Sequence, residues 1–183
     1  MAKKVNLESY DNSWYKPGNS FKIFLWYMVN ELVLKNSYLP FSSPRKLVLQ
    51  FFGAKIGSGV IFKPGINIKY PWHLKIGDHC WIGENVWIDN LSQVTIENNV
   101  CLSQGAMLLC GNHNYKEVTF DLKVEPIIIK TGAWLGAKTI VCPGVTIGSH
   151  SILSVGSIAT KDLEGYCIYK GNPALKINDR IIN

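Results

Sequence analysis

Charge is scarce in this 183-residue chain, where Asp, Glu, Lys and Arg make up 17% against about 25% in ordinary soluble domains. With hydrophobic residues at 47%, it is neither intrinsically disordered nor a charged coiled coil. Long apolar runs are missing too. The most apolar stretch, residues 21–34, is broken by Lys22, Asn30 and Glu31 and falls short of the roughly 20 residues a spanning helix needs. Met1-Ala2-Lys3-Lys4 leads into polar residues rather than an apolar core and a small-residue cleavage site, so no secretory leader is expected. The five cysteines (Cys80, Cys101, Cys110, Cys142 and Cys167) are odd in number and form no Cys-x-x-Cys pair. Neither a disulfide framework nor a zinc ribbon is indicated, and a reducing, cytoplasmic setting is expected. The excess of 19 Lys and Arg over 13 Asp and Glu suits an anionic ligand or surface. No basic stripe with interleaved aromatics accompanies it, so nucleic acid is not an expected partner.

What the chain does have is a repeat. Every sixth residue from Ile129 is apolar: Ile129, Leu135, Val141, Ile147, Leu153, Ala159. The fifth position of each unit is small or β-branched, as in Ala133, Thr139, Val145, Ser151 and Ser157. Upstream the pattern returns in Ile56-Gly57-Ser58-Gly59-Val60, Ile76-Gly77-Asp78-His79-Cys80 and Ile82-Gly83-Glu84-Asn85-Val86. A period of six is neither the 3.6 of a helix nor the 2 of an alternating strand. Three short strands joined by tight turns satisfy it by closing a triangular coil. Successive coils then stack as parallel strands about 4.8 Å apart. The register slips by two through Tyr70-Pro71-Trp72-His73 and again through Leu91-Ser92-Gln93, which predicts bulged corners. Residues 111–126 break it altogether with a polar excursion of a length that is usually functional or disordered.

Residues 1–52 lack the period and read as an N-terminal helical, aromatic-rich cap on a repeat domain of residues 53–183. Phe21, Phe24, Leu25, Met28, Val29 and Leu32 stand at helical spacing, and Ser43-Pro44-Arg45-Lys46 looks like a second helix start. Helices covering the open end of the coil stack explain the segment. A basic, aromatic face that touches a membrane surface, at the inner face of the cytoplasmic membrane, is the alternative.

The repeat, the histidine-bearing excursion and the turn Gly171-Asn172-Pro173-Ala174 resemble the hexapeptide-repeat acyltransferases. Gly53-Ala54-Lys55-Ile56-Gly57, Tyr70-Pro71-Trp72 and Gly111-Asn112-His113-Asn114-Tyr115 are most similar to colanic acid biosynthesis acetyltransferases of the WcaF type, near the maltose and galactoside O-acetyltransferases. The resemblance implies a mainly β fold, a left-handed parallel β-helix, assembled as a homotrimer with each active site between neighbouring subunits. It also implies acetyl-CoA as co-substrate, no metal, and a sugar or glycan acceptor destined for cell-surface polysaccharide.

Transfer of an acetyl group to a hydroxyl needs a base for the proton and donors for the oxyanion. Of the four histidines, His79 and His150 fall at a turn position of their hexapeptides and His73 in a bulged corner; His113 alone lies in the excursion and matches the family's catalytic histidine. Asn112 and Asn114 could orient its ring, or be polar loop residues. The resemblance places Trp134 beside the pantetheine arm, the Ala137 N–H at the thioester oxygen, and Thr160 and Lys161 near the far end of CoA. The position after Ala174, usually Lys or Arg, is Leu175 here, so the contact to the CoA 3′-phosphate passes to Lys161, Lys170, Lys176 or Arg180, with Lys176 the nearest in sequence. Asn85, Asp89 and Asn90 resemble acceptor-contacting positions, though all three are also ordinary turn residues. The rival functions are N-acetylation of an amino sugar and a noncatalytic trimeric scaffold. A zinc-dependent anhydrase on the same prism would need a second histidine near His113, and the sequence has none there.

Overall fold

Each hexapeptide sends two side chains inward, the leading aliphatic and the small residue two positions before it, and the chain winds around them as a left-handed parallel β-helix. The structure, a computed structural model, describes residues 3–183. The first face stacks Lys55–Ile56, Leu74–Ile76, Val94–Ile96, Ile127–Ile129 and Thr146–Ile147. On the second lie Ile61–Phe62, Trp81–Ile82, Cys101–Leu102, Trp134–Leu135, Ile152–Leu153 and Cys167–Gly171, with Ala174–Asp179 folding back antiparallel on the last of these. The third carries Asn67–Ile68, Trp87–Asp89, Met107–Leu109, Ile140–Val141 and Ile158–Ala159. Register is direct: Ile56, Ile76, Ile96, Ile129 and Ile147 fall into one interior column.

The interior is dry and aliphatic. Ile68, Ile82, Ile88, Leu108, Leu135 and Leu153 are fully buried, each worth about 1.5–3 kcal/mol relative to exposure. Toward the C-terminal coils the small position turns polar, and its hydroxyls bond to the backbone. Thr139 Oγ1 donates to Gly136 O and Ser151 Oγ to Gly148 O, both at 2.8 Å. At the corner between first and second faces, Gly59, His79, Asn99, Gly132, His150 and Tyr166 all adopt positive φ, so His79 and His150 are turn residues of this column.

Both expected corners bulge. Pro71–His73 makes a 3-10 turn, and the buried Asn90 amide clamps it: Tyr70 N donates to Asn90 Oδ1 at 2.9 Å, and Asn90 Nδ2 donates to Tyr70 O at 2.6 Å.

The cap holds two helices, α1 (Ser20–Val29), continued by a looser turn over Asn30–Leu34, and α2 (Ser42–Phe51). Trp26 Nε1 donates to Ile68 O at 2.9 Å and Asn30 Nδ2 to Asn67 Oδ1 at 2.8 Å. These anchors turn Trp26, Asn30 and Leu34 inward and leave Phe21, Phe24, Leu25, Met28 and Leu32 outside. Most of the stripe expected to cover the coil end therefore faces away from it. Buried Arg45 ties the interhelical loop down, donating to the carbonyls of Leu34, Asn36, Leu39 and Phe41.

The expected 1–52 cap also has a second destination. Its first residues leave the helices and run as a strap toward the excursion: Trp72 Nε1 donates to Pro17 O at 2.6 Å, Tyr15 Oη to Leu91 O at 2.5 Å, and Asn6 N to Val118 O at 2.9 Å.

Candidate active site

The excursion is an antiparallel hairpin rather than a loop. Gly111–His113 pairs with Leu122–Val124, setting His113 opposite Leu122. Gly111 lies close over Leu91, where a Cβ would come within 2.5 Å of Cδ1. Gly111 and His113 are two residues apart on a strand and address the same side of it.

The imidazole of His113 is fixed by groups that sequence reading passed over. Its Nδ1 lies 2.9 Å from Phe120 O. A carbonyl only accepts, so Nδ1 carries the proton and Nε2 is left with its lone pair. Phe120 holds φ +54°, a conformation that costs a bulky residue energy and that recurs at functional sites. The Phe120 ring stacks on the imidazole at 4.4 Å and 8°, and Tyr10 of the strap lies 5.8 Å away, tilted by 55°. Asn112 and Asn114 do not reach the ring; Asn112 Oδ1 instead accepts from the His113 backbone N–H at 2.8 Å.

A cleft of about 480 Å³ opens beside His113, lined by the hairpin, Lys116, Lys123, Cys142, Pro143 and Thr160. Thr160 therefore meets His113 at the corner between third and first faces, and exposed Lys161 follows it in sequence. Burial raises the Cys142 thiol above its usual range and pushes that of Cys110, at the root of the hairpin, up to about 11. Both stay protonated near neutrality, so neither is a ready nucleophile.

Trp134 and Ala137 lie elsewhere, on the second face and the corner that ends it. Trp134 is exposed, its Nε1 donating to Ser103 Oγ at 2.9 Å. It shares a groove of about 380 Å³ with Ala137, Gln104, Ser154 and Val155. One chain thus separates His113 from the expected acyl-CoA groove.

Among the acceptor positions, Asn85 is an exposed turn residue at φ +56°. Asp89 lies at the edge of the third face with Oδ1 3.1 Å from Lys69 Nζ, an ion pair without hydrogen-bond alignment. Asn90 is fully buried, its amide oxygen accepting from Tyr70 N and its amide nitrogen donating to Tyr70 O, so the side chain has no exposed face in this chain. Lys176 stands 2.8 Å from Asp179 Oδ1 and 4.0 Å from Glu164 Oε2. The Asp179 carboxylate beside it holds its pKa above the usual lysine range, so this ammonium is already paired. Arg180 is committed to the carbonyls of Gly132 and His150 at 3.1 and 3.0 Å. Exposed Lys161 and Lys170 remain for a phosphate. Among the described residues, no three His, Cys, Asp or Glu side chains converge as a metal set.

No family model matches the chain. It is 34% identical over 167 residues to a protein of Escherichia coli (strain K12) named as the colanic acid biosynthesis acetyltransferase WcaF, covering 91% of this chain and 92% of that one. It is 29% identical over 142 residues to the galactoside O-acetyltransferase of the same organism, covering 74% and 70%. In structure it resembles a hexapeptide-repeat acetyltransferase of Vibrio cholerae, with TM-score 0.80 and 19% identity over 88% of this chain and 92% of the other. A structure of that acetyltransferase with acetyl coenzyme A matches at TM-score 0.72 and 21% identity, over 78% and 79%. With its prism, its hairpin-borne histidine and a near full-length WcaF relative, the chain belongs to the hexapeptide-repeat acetyltransferases.

Proposed function

We propose that the protein is an acetyl-CoA-dependent O-acetyltransferase acting on a sugar hydroxyl in the making of a cell-surface glycan. The observation that carries this reading is the 2.9 Å approach of His113 Nδ1 to Phe120 O: a carbonyl only accepts, so Nδ1 is the protonated nitrogen of the neutral ring and Nε2 can take a proton. As the acceptor oxygen attacks the thioester carbonyl, its proton passes to Nε2. The C–S bond then breaks and the proton leaves with the CoA thiolate. The Ala137 N–H, which donates to no backbone carbonyl among the described residues, is the proposed oxyanion donor. Trp134 would line the pantetheine arm, Thr160 and Lys161 the far end of CoA, and Asn85 and Asp89 the acceptor. The WcaF relative's name supports a polysaccharide acceptor.

The working unit is proposed to be a homotrimer. On the second face the outward column reads Ile61, Trp81, Cys101, Trp134, Ile152; on the first it reads Lys55, Lys75, Thr95, Ile128, Thr146. The third-face column, Asn67, Trp87, Met107, Ile140 and Ile158, is largely apolar as well, and apolar columns on two sides of a charge-poor prism suit burial against neighbouring copies. Such a contact would bring one copy's His113 to its neighbour's Trp134 groove.

His113→Ala should lower turnover by about 10²- to 10⁴-fold and leave acetyl-CoA affinity, measured calorimetrically, unchanged. Undiminished turnover in that variant would remove His113 from the chemistry. Absence of saturable acetyl-CoA binding by the folded wild-type protein would remove acyl transfer itself.

A further inference from the structure

Helix α1 is apolar on two sides, and the prism takes only one. The outward residues Phe21, Phe24, Leu25, Met28 and Leu32 follow a single stripe at i, i+3, i+4, i+7 and i+11. Phe21 is 73% exposed and Leu32 66%. From α2, Leu47 and Phe51 add further exposed apolar surface, Phe51 at 84%. Exposed apolar surface on this scale marks an interaction site rather than ordinary solvent-facing helix.

Charge says what covers it. Helices α1 and α2 and the loop between them, residues 20–52, hold Lys22, Lys35, Arg45 and Lys46 against Glu31 alone, so this end of the prism is net positive. Lys22 Nζ lies 4.4 Å over the Trp72 ring and Lys46 Nζ donates to Gly57 O at 2.6 Å, so these charges sit behind the stripe, where they set the sign of this end of the molecule. A second copy meeting this cap head-on would bring two positive ends together, which opposes association. An anionic surface is attracted. The helical stretch from Ser20 to Leu34 is 15 residues, about 22 Å at 1.5 Å per residue, against the roughly 30 Å of a bilayer core. No described helix is long and apolar enough to cross a membrane.

We infer that this stripe docks the protein on an anionic lipid bilayer. Helix α1 lies in the interface with Phe21, Phe24 and Leu32 in the acyl boundary, and the net positive charge of the cap draws it to anionic headgroups at long range. The inference is independent of acyl transfer, because vesicle binding reads it without any acceptor.

The full-length protein should co-sediment with vesicles of phosphatidylglycerol and phosphatidylcholine. Binding to phosphatidylcholine alone, or at high salt, should be at least about tenfold weaker. The combined variant Phe21→Ser, Phe24→Ser, Leu32→Ser should bind at least about tenfold more weakly than wild type. Its thermal unfolding should be unchanged, since all three side chains are exposed. Wild-type protein staying in the supernatant with anionic vesicles at millimolar lipid overturns the inference. So does a wild-type mass in light scattering twice that of the serine variant, which would assign the stripe to a second copy.

Discussion

At the scale of single residues, the site depends on how firmly one imidazole is held. Phe120 supplies the carbonyl that fixes the tautomer and a ring that stacks on it, while Tyr10 arrives from the strap. Tyr10→Ala should lower turnover roughly 10- to 100-fold through looser positioning while changing unfolding free energy by about 1 kcal/mol or less. Tyr10→Phe should restore the rate, because the contact is made by the ring. On the His113→Ala background the Tyr10 change should cost nothing further, which separates positioning from general damage. The excursion that carries His113 was legible in the sequence, and it holds no other histidine. The partners of that histidine were not. Phe120 acts through a backbone carbonyl aimed by a positive φ, and Tyr10 lies about a hundred residues away with no motif around it. Asn90 has a use that the sequence did not show: asparagine serves sugar hydroxyls and backbone groups equally well, and the fold sets its buried amide against the Tyr70 backbone.

At the scale of elements, legibility followed the range of the forces. Hexapeptide strands are written locally, and the interior columns fall where every sixth residue puts them. The bulged corners appeared as two-residue slips in the same count. The hairpin was hidden because Gly111–His113 and Leu122–Val124 pair only with each other, and the stretch rich in polar residues that joins them reads as a loop. The rotation of α1 was hidden as well, since a helix apolar on two sides reads the same whichever side is buried; Trp26 and Asn30 decide it by bonding Ile68 and Asn67. Arg45 is the comparable anchor for the interhelical loop. Arg45→Leu leaves four carbonyls without their donor and should cost roughly 3 kcal/mol in denaturant unfolding. Arg45→Lys should recover little, because a compact ammonium does not reproduce a five-donor planar fork.

At the scale of the whole molecule, the separation of His113 from Trp134 makes a prediction that needs no knowledge of the acceptor's identity beyond an active assay. A site built within one chain and a site built between chains differ when two inactive variants are mixed. His113→Ala lacks the proposed base, while Trp134→Asp sets a carboxylate in the groove proposed for an anionic thioester; Trp134 points outward, so the prism tolerates the change. Suppose each site takes its histidine from one copy and its groove from the next. In trimers assembled at random from equal amounts, a site is intact when its histidine comes from a Trp134→Asp chain and its groove from a His113→Ala chain. That arrangement holds for about a quarter of the sites in a closed symmetric ring. Co-refolded mixtures should therefore recover about a quarter of wild-type activity, while each variant alone, and the two mixed after separate folding, stays inactive. A site contained within one chain predicts no recovery at any ratio. Sedimentation of each variant at the wild-type mass is the companion measurement, because a Trp134→Asp chain that failed to assemble would be silent for a different reason.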